Sequence, residues 1–219
     1  MRTERLEVRP PVESDREHMV ELWMDETFMV FSHGVRDRPE ANERFDHMLD
    51  VAERFPFAKQ PVVELETGRT IGYSGVDTFE YEGRERLEFG YRLDRTARGR
   101  GFATEAGLAV LALADSLVDD LDPAWQREVY AIIDPTNQPS QRVAQKCGFA
   151  FWRHDFVAGY HDDLLVRPLG PHRWGATRRV KIRLVKPKFP TDLKKVCACV
   201  FPFGEYFLHV STKGDGVTW

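Results

Sequence analysis

The sequence predicts an α/β fold, a mixed and mostly antiparallel sheet with helices on its faces. Three observations carry the prediction. Short runs of alternating apolar and polar residues mark several strands before residue 94. An alanine- and leucine-rich helix then spans roughly 101–118. After it, EVYAII (Glu128 to Ile133) is a nearly continuous apolar, β-rich run, as expected of a strand buried on both faces. The strands at 86–93 and 128–133 are therefore joined by a βαβ crossover, which makes the sheet mixed.

The elements follow in order. Residues 4–9 (ERLEVR) alternate and stop at Pro10-Pro11, which reads as an edge strand. Ser14 or a neighbour caps a helix running to about Met24, with Leu22 and Trp23 inward. Glu40 to Arg54 forms a second helix, with Phe45, Met48, Leu49 and Ala52 at helical spacing. Three strands are expected at 61–66, 70–78 and 86–93, with Gly68 in the first turn and Glu82-Gly83 in the second. Pro139 and Gly148 bracket a short helix carrying Val143, Ala144 and Cys147. Strands at about 149–157 and 163–168 close the unit.

Composition fixes the broad class. The 219 residues are 42% hydrophobic and 30% charged with a net charge of −4, enough for a real core and without overall bias toward nucleic acid or membrane. The start, MRTERLEVRPP, lacks the apolar stretch of a signal peptide. Cys147, Cys197 and Cys199 are too few and too odd in number for a disulfide framework, which points to a reducing, cytoplasmic setting. Charge is uneven. Residues 171–219 hold ten Lys and Arg against three Asp and Glu, a net of +7, leaving −11 for residues 1–170. The shift marks a boundary between a domain at 1–170 and a basic extension at 171–219. That extension is too hydrophobic for a disordered tail, so a hairpin packed on the domain, a homodimer contact and an RNA-binding surface all remain open.

The segment Arg98-Gly99-Arg100-Gly101-Phe102-Ala103 stands at the mouth of the long helix. Glycines let backbone approach a ligand closely, and a helix N-terminus offers unpaired N–H groups, so the natural guest is an anion. A Walker A loop is absent from the chain, and a dinucleotide fingerprint would need glycine where Thr104 stands. What remains is R-x-x-G-x-A between a strand and a helix, a backbone cradle for pyrophosphate.

The sequence EFGYRLDRTARGRGFATEAG, followed after a strand by IDPTNQPSQRVAQKCGF, resembles the GNAT acetyltransferase superfamily. Within it, the chain is most similar to the branch that acetylates the N-terminal residues of ribosomal proteins. Four landmarks carry the resemblance, which covers residues 4 to about 169. They are Gly90-Tyr91, the R-x-x-G-x-A turn with Thr104-Glu105-Ala106, Asn137-x-x-Ser140 leading to Lys146-x-Gly148-Phe149, and Gly159-Tyr160-His161-Asp162.

The resemblance implies a GNAT fold whose central parallel strand pair splays apart, and acetyl-CoA as cosubstrate. Its pyrophosphate would rest on the N–H groups of Gly99, Arg100, Gly101, Phe102, Ala103 and Thr104, with the Arg98 and Arg100 side chains adding charge. The main chain of Tyr91 to Leu93 would pair with the pantetheine arm. Asn137 would bond a pantetheine amide, or cap the helix beside Pro139. Ser140 would protonate the leaving thiolate or bind its sulfur, or else cap that same helix. Glu88 is the candidate base, and equally reads as one of the surface carboxylates Glu80, Glu82, Glu85 and Glu88. The implied acceptor is a protein or peptide N-terminus. The alternatives are a small amine (antibiotic, polyamine or amino acid) and a module that binds acyl-CoA or a partner without turnover. The histidines, His33, His154 and His161 among them, show no metal-ligand spacing, so no metal is expected. Trp23, Phe28 and Phe31 read as pocket wall or core aromatics, and Cys147 as core.

Overall fold

A computed structural model describes residues 1–170 except 33, 55 and 118–126; the basic extension, with Cys197 and Cys199, lies outside the described residues, as does His33. Seven strands form a single sheet in the order β1-β2-β3-β4-β5-β7-β6. They are β1 (Leu6–Val8), β2 (Gln60–Glu64), β3 (Thr70–Tyr81), β4 (Arg84–Leu93), β5 (Glu128–Ile133), β6 (Ala150–Val157) and β7 (Tyr160–Pro168). Only β4 and β5 pair in parallel, and the expected mixed α/β fold is present.

Four helices cover the faces. α1 (Arg16–Met24) and α2 (Arg38–Arg54) lie on one, and α3 (Phe102–Ser116) and α4 (Gln138–Lys146) on the other. The period-2 alternation of β4 divides its side chains between the two layers. Leu87, Phe89 and Leu93 enter the main core with Phe102, Ala106 and Val110 of α3 and Ala144 of α4. A second core gathers Met19, Trp23, Phe28 and Phe45 over Tyr73 of β3. Trp23 and Phe28 are thus core, while Phe31 is exposed. Cys147 is buried against α3, as its apolar helix face predicts.

Several boundaries differ from the sequence reading, each for a local reason. A 3-10 turn at Glu13–Asp15 precedes α1, because Asp15 is drawn inward by Arg9 and by the N–H of Val12. α2 starts at Arg38 rather than Glu40, since Pro39 fits a first helical turn. β3 and β4 extend to Tyr81 and back from Arg84, closed by Glu82 and Gly83 at φ 51° and 69°. Two successive positive φ values match the right-handed twist of a two-residue hairpin. The same device, Ala158 and Gly159 at 50° and 95°, joins β6 to β7, so β7 begins at Tyr160 and not 163.

One crossing of the chain sets the geometry near the sheet centre. The segment before β2 passes over β3, with the N–H of Val76 donating to the carbonyl of Phe57 at 2.8 Å. Gly75 lies directly beneath, where a Cβ would sit 2.1 Å from the carbonyl oxygen of Ala58. Lys59 is thereby carried over the middle of the sheet.

Candidate active site

The parallel pair opens. β4 and β5 are in register at Leu87 with Val129 and at Glu88 with Tyr130, and no further. β4 nonetheless continues to Leu93 and β5 to Ile133. β4 keeps its full ladder with β3 on the other side, so only its β5-facing edge from Phe89 onward lacks a strand partner. This V-shaped gap runs along Tyr91 to Leu93, the residues expected to pair with an extended arm, although the Leu93 carbonyl already accepts from Arg98.

The glycine turn lies at the wide end of the V. A 3-10 turn at Arg95–Ala97, capped by the Asp94 side chain, leads into it. Gly99 and Gly101 have φ of +74° and +83°, the left-handed region that residues with a Cβ avoid. Gly101 is the N-cap of α3 and offers no side chain to its first turn. The first helical bond runs from the N–H of Glu105 to the carbonyl of Gly101 at 3.1 Å. The N–H groups of Phe102, Ala103 and Thr104 are therefore the orphan donors of a 15-residue helix, with its dipole behind them.

The two arginines of the turn are engaged by the protein itself. Arg98 donates to the carbonyls of Leu93 and Thr27, at 3.0 and 2.8 Å, tying the turn to the loop after α1. Arg100 pairs with Glu64 at 2.6 Å and lies 4.3 Å over the Phe102 ring. Both guanidiniums thus hold the turn in shape. Arg5, not singled out in the sequence, acts with them. Its guanidinium binds Glu105 at 2.6 Å, donates to the carbonyl of Arg100 at 3.0 Å, and lies 4.6 Å from the centre of the Phe102 ring.

Beside the gap, β4 presents two polar groups on opposite faces. Tyr91 points toward α4, where its hydroxyl is 3.0 Å from Ser140 Oγ. Burial holds the Tyr91 phenol above its usual pKa, although the Ser140 hydrogen bond opposes this, so it is protonated at neutral pH. Asn137 caps α4, its Oδ1 accepting from the Ser140 N–H at 3.1 Å. Capping thus falls to Asn137 and leaves the Ser140 hydroxyl to Tyr91. The Tyr91 phenol is a functional candidate that sequence reasoning missed, because only its main chain had an assigned role.

Glu88 faces the α1/α2 side. It is no free surface carboxylate: its Oε2 accepts from Lys59 Nζ at 2.7 Å, and Lys59 also approaches Asp77 at 3.7 Å. The Lys59 stem lies across Gly90, where a Cβ would meet its Cε at 2.9 Å and Glu88 Oε1 at 3.5 Å. Oε2 is thus committed to the lysine, and Oε1 lies beside Gly90.

The site is thus a splayed parallel pair ending in a glycine turn, with the Tyr91–Ser140 hydroxyl pair on one face and the Glu88 carboxylate on the other. Comparison with known proteins agrees. The family model for an acetyltransferase (GNAT) domain matches residues 5–150. A Bacillus licheniformis protein described as the uncharacterized N-acetyltransferase p20 is 26% identical over 149 residues, covering 67% of this chain and 80% of that one. Among solved structures, a ribosomal-protein-S5-alanine acetyltransferase from Vibrio fischeri superposes with TM-score 0.61 at 18% identity, covering 77% of this chain and 96% of that one. A phosphinothricin acetyltransferase from Sinorhizobium meliloti in complex with AcCoA superposes at 0.57 with 20% identity, covering 76% and 89%. With the match spanning two-thirds of the sequence and the cleft inside it, the chain belongs to the GNAT acetyltransferase family.

Proposed function

We propose that the chain is an N-acetyltransferase that moves the acetyl group of acetyl-CoA to a primary α-amine, as at the N-terminus of a protein or peptide. The observation that carries this reading is the loss of β4–β5 pairing after Glu88 and Tyr130, directly beside an uncapped helix N-terminus. The pantetheine arm fills the gap as a partial strand, and the pyrophosphate rests on the N–H groups from Gly99 to Thr104.

The reaction needs one proton removed and one supplied. The amine nitrogen attacks the thioester carbonyl, forming the C–N bond and a tetrahedral oxyanion, which collapses with cleavage of the C–S bond. Glu88 Oε1 takes the amine proton through a water. The Tyr91–Ser140 pair, protonated at neutral pH, delivers a proton to the departing thiolate. Base and acid stand on opposite faces of one strand, so the thioester lies between them. An α-amine suits a base of this kind. With a pKa of ~7.7–8.0 it is roughly 10–17% neutral at pH 7, whereas a lysine at ~10.4 is neutral in about one molecule in 2,500.

The test is a calorimetric titration of acetyl-CoA into the full-length protein and into Gly101→Asp. The expected result is saturable binding to the wild type that the added carboxylate abolishes. Absence of wild-type binding, together with no CoA release in the presence of peptide amines, overturns the reading.

A further inference from the structure

Between α2 and the centre of the sheet, beside Glu88, lies a cavity of about 140 Å³ lined by Arg44, His47, Met48, Val51, Lys59, Tyr73 and Asp77. Its charges do not follow the acidic balance of the domain. Lys59 is matched by Glu88 and Asp77. Arg44 has no carboxylate partner among the described residues; its guanidinium lies 5.4 Å over the Trp23 ring. Arg92 sits directly across the ladder from Tyr73 and is likewise without a carboxylate partner. It reaches the Met29 sulfur and the Phe28 ring. Of the charged side chains lining the cavity, Arg44 and Lys59 stand against Asp77, with Glu88 and Arg92 nearby, and the balance is positive.

Tyr73 gives the second, independent observation. It is only 4% exposed, wedged between Trp23 and Phe28, yet its hydroxyl makes no hydrogen bond among the described residues and borders the cavity. The hydroxyl opens onto the cavity, where it is available to donate to a guest. Burial raises the Tyr73 pKa, but the neighbouring Arg92, Arg44 and Lys59 outweigh burial and bring it below the usual tyrosine value. A donor hydroxyl between unmatched guanidiniums suits an anion, and a guanidinium favours planar, two-oxygen anions. The volume is close to that of a cavity that holds one benzene ring, enough for a single short side chain.

We infer that this cavity is the acceptor's side-chain pocket and that the preferred acceptor is an α-amine bearing a carboxylate, either a free acidic amino acid or a peptide beginning with Asp or Glu. The inference rests on the acetyltransferase reading and narrows it. With the carboxylate held by Arg44 and the Tyr73 hydroxyl, the α-amine is directed toward Glu88 and the gap between β4 and β5. Cationic acceptors such as polyamines meet the positive surplus and are disfavoured.

The experiment compares Glu-Ala-amide with Gln-Ala-amide, which differ only by the charge, and adds free L-glutamate and spermidine. Binding to the full chain loaded with CoA is measured calorimetrically, alongside CoA release with acetyl-CoA. The expected result is at least tenfold tighter binding and higher kcat/KM for Glu-Ala-amide than for Gln-Ala-amide, and no turnover of spermidine. Arg44→Gln and Tyr73→Phe each reduce that preference by fivefold or more, with acetyl-CoA affinity unchanged, and Arg44→Lys restores part of it. A free amino acid as acceptor gives turnover of L-glutamate at least equal to the dipeptide; a peptide acceptor gives the reverse. Equal treatment of the Glu and Gln dipeptides, or preference for spermidine, overturns the inference while leaving the transferase intact. Failure to bind acetyl-CoA instead overturns the transferase itself.

Discussion

Tyr91 and Ser140 share one hydrogen bond at the edge of the cleft, so each supports the other's position. Tyr91→Phe and Ser140→Ala are each expected to lower kcat by about a hundredfold, within the range of a single proton-transfer group, with acetyl-CoA affinity little changed. The double variant is expected to lose no more than the worse single one if the two hydroxyls act as one relay, as proposed. Stopped assays with saturating acetyl-CoA check this; an unchanged kcat in both single variants removes the pair from the chemistry. At this scale the sequence was informative about residue type and poor about partners. Gly99 and Gly101 were legible because positive φ is a backbone demand that glycine answers. Arg98 and Arg100 were not, since a charge in sequence does not say which carbonyl or carboxylate it meets. Lys59, Arg44 and Tyr73 were invisible for the same reason: they come together only where α2 and the chain before β2 pass over the sheet.

Among elements, the strands and helices were legible from period and from breakers, and their ends were not. β5 was exact, bounded by polar residues on both sides of an apolar run. β7 was shortened because Tyr160 and His161 are exposed and the sequence there offers no apolar alternation. The crossing over β3 left only a glycine as its trace. Gly75→Ala would place a Cβ 2.1 Å from a backbone oxygen, which cannot swing away as a side chain would. A loss of about 2–3 kcal/mol is expected, read as a drop in Tm. Gly68→Ala, with nothing within 4 Å and only a φ of +67° to strain, is expected to cost about 1 kcal/mol. Equal effects of the two changes would show that the crossing is looser than described.

Across the whole molecule, carboxylates clamp the outer elements to the sheet. Asp15 is buried, which raises its pKa, but Arg9, the Val12 N–H and Thr70 outweigh burial and lower it below its ordinary value of 3.8. Glu105 behaves likewise: burial raises its pKa, while Thr3 and Arg5 lower it below 4.5. Both groups bind protons more weakly folded than unfolded. Their stabilisation is therefore complete above the ordinary carboxylate range and lost as pH falls through the folded values. The Tm is expected to decline from about pH 5 downward, and the gap between wild type and Asp15→Asn to narrow as it does; a constant gap from pH 7 to 3 would show that Asp15 is not the titrating clamp.

Arg5 joins two places that the chain keeps far apart. It precedes the edge strand β1 and grips both the first turn of α3 and the carbonyl of Arg100. Thermodynamic reciprocity then binds the sheet's outermost strand to the cradle. If the pyrophosphate rests on this turn, as proposed, the free energy acetyl-CoA gains from an ordered turn reappears as resistance of β1 to fraying, and excursions of that strand into solvent loosen the hold on the cofactor by the same factor.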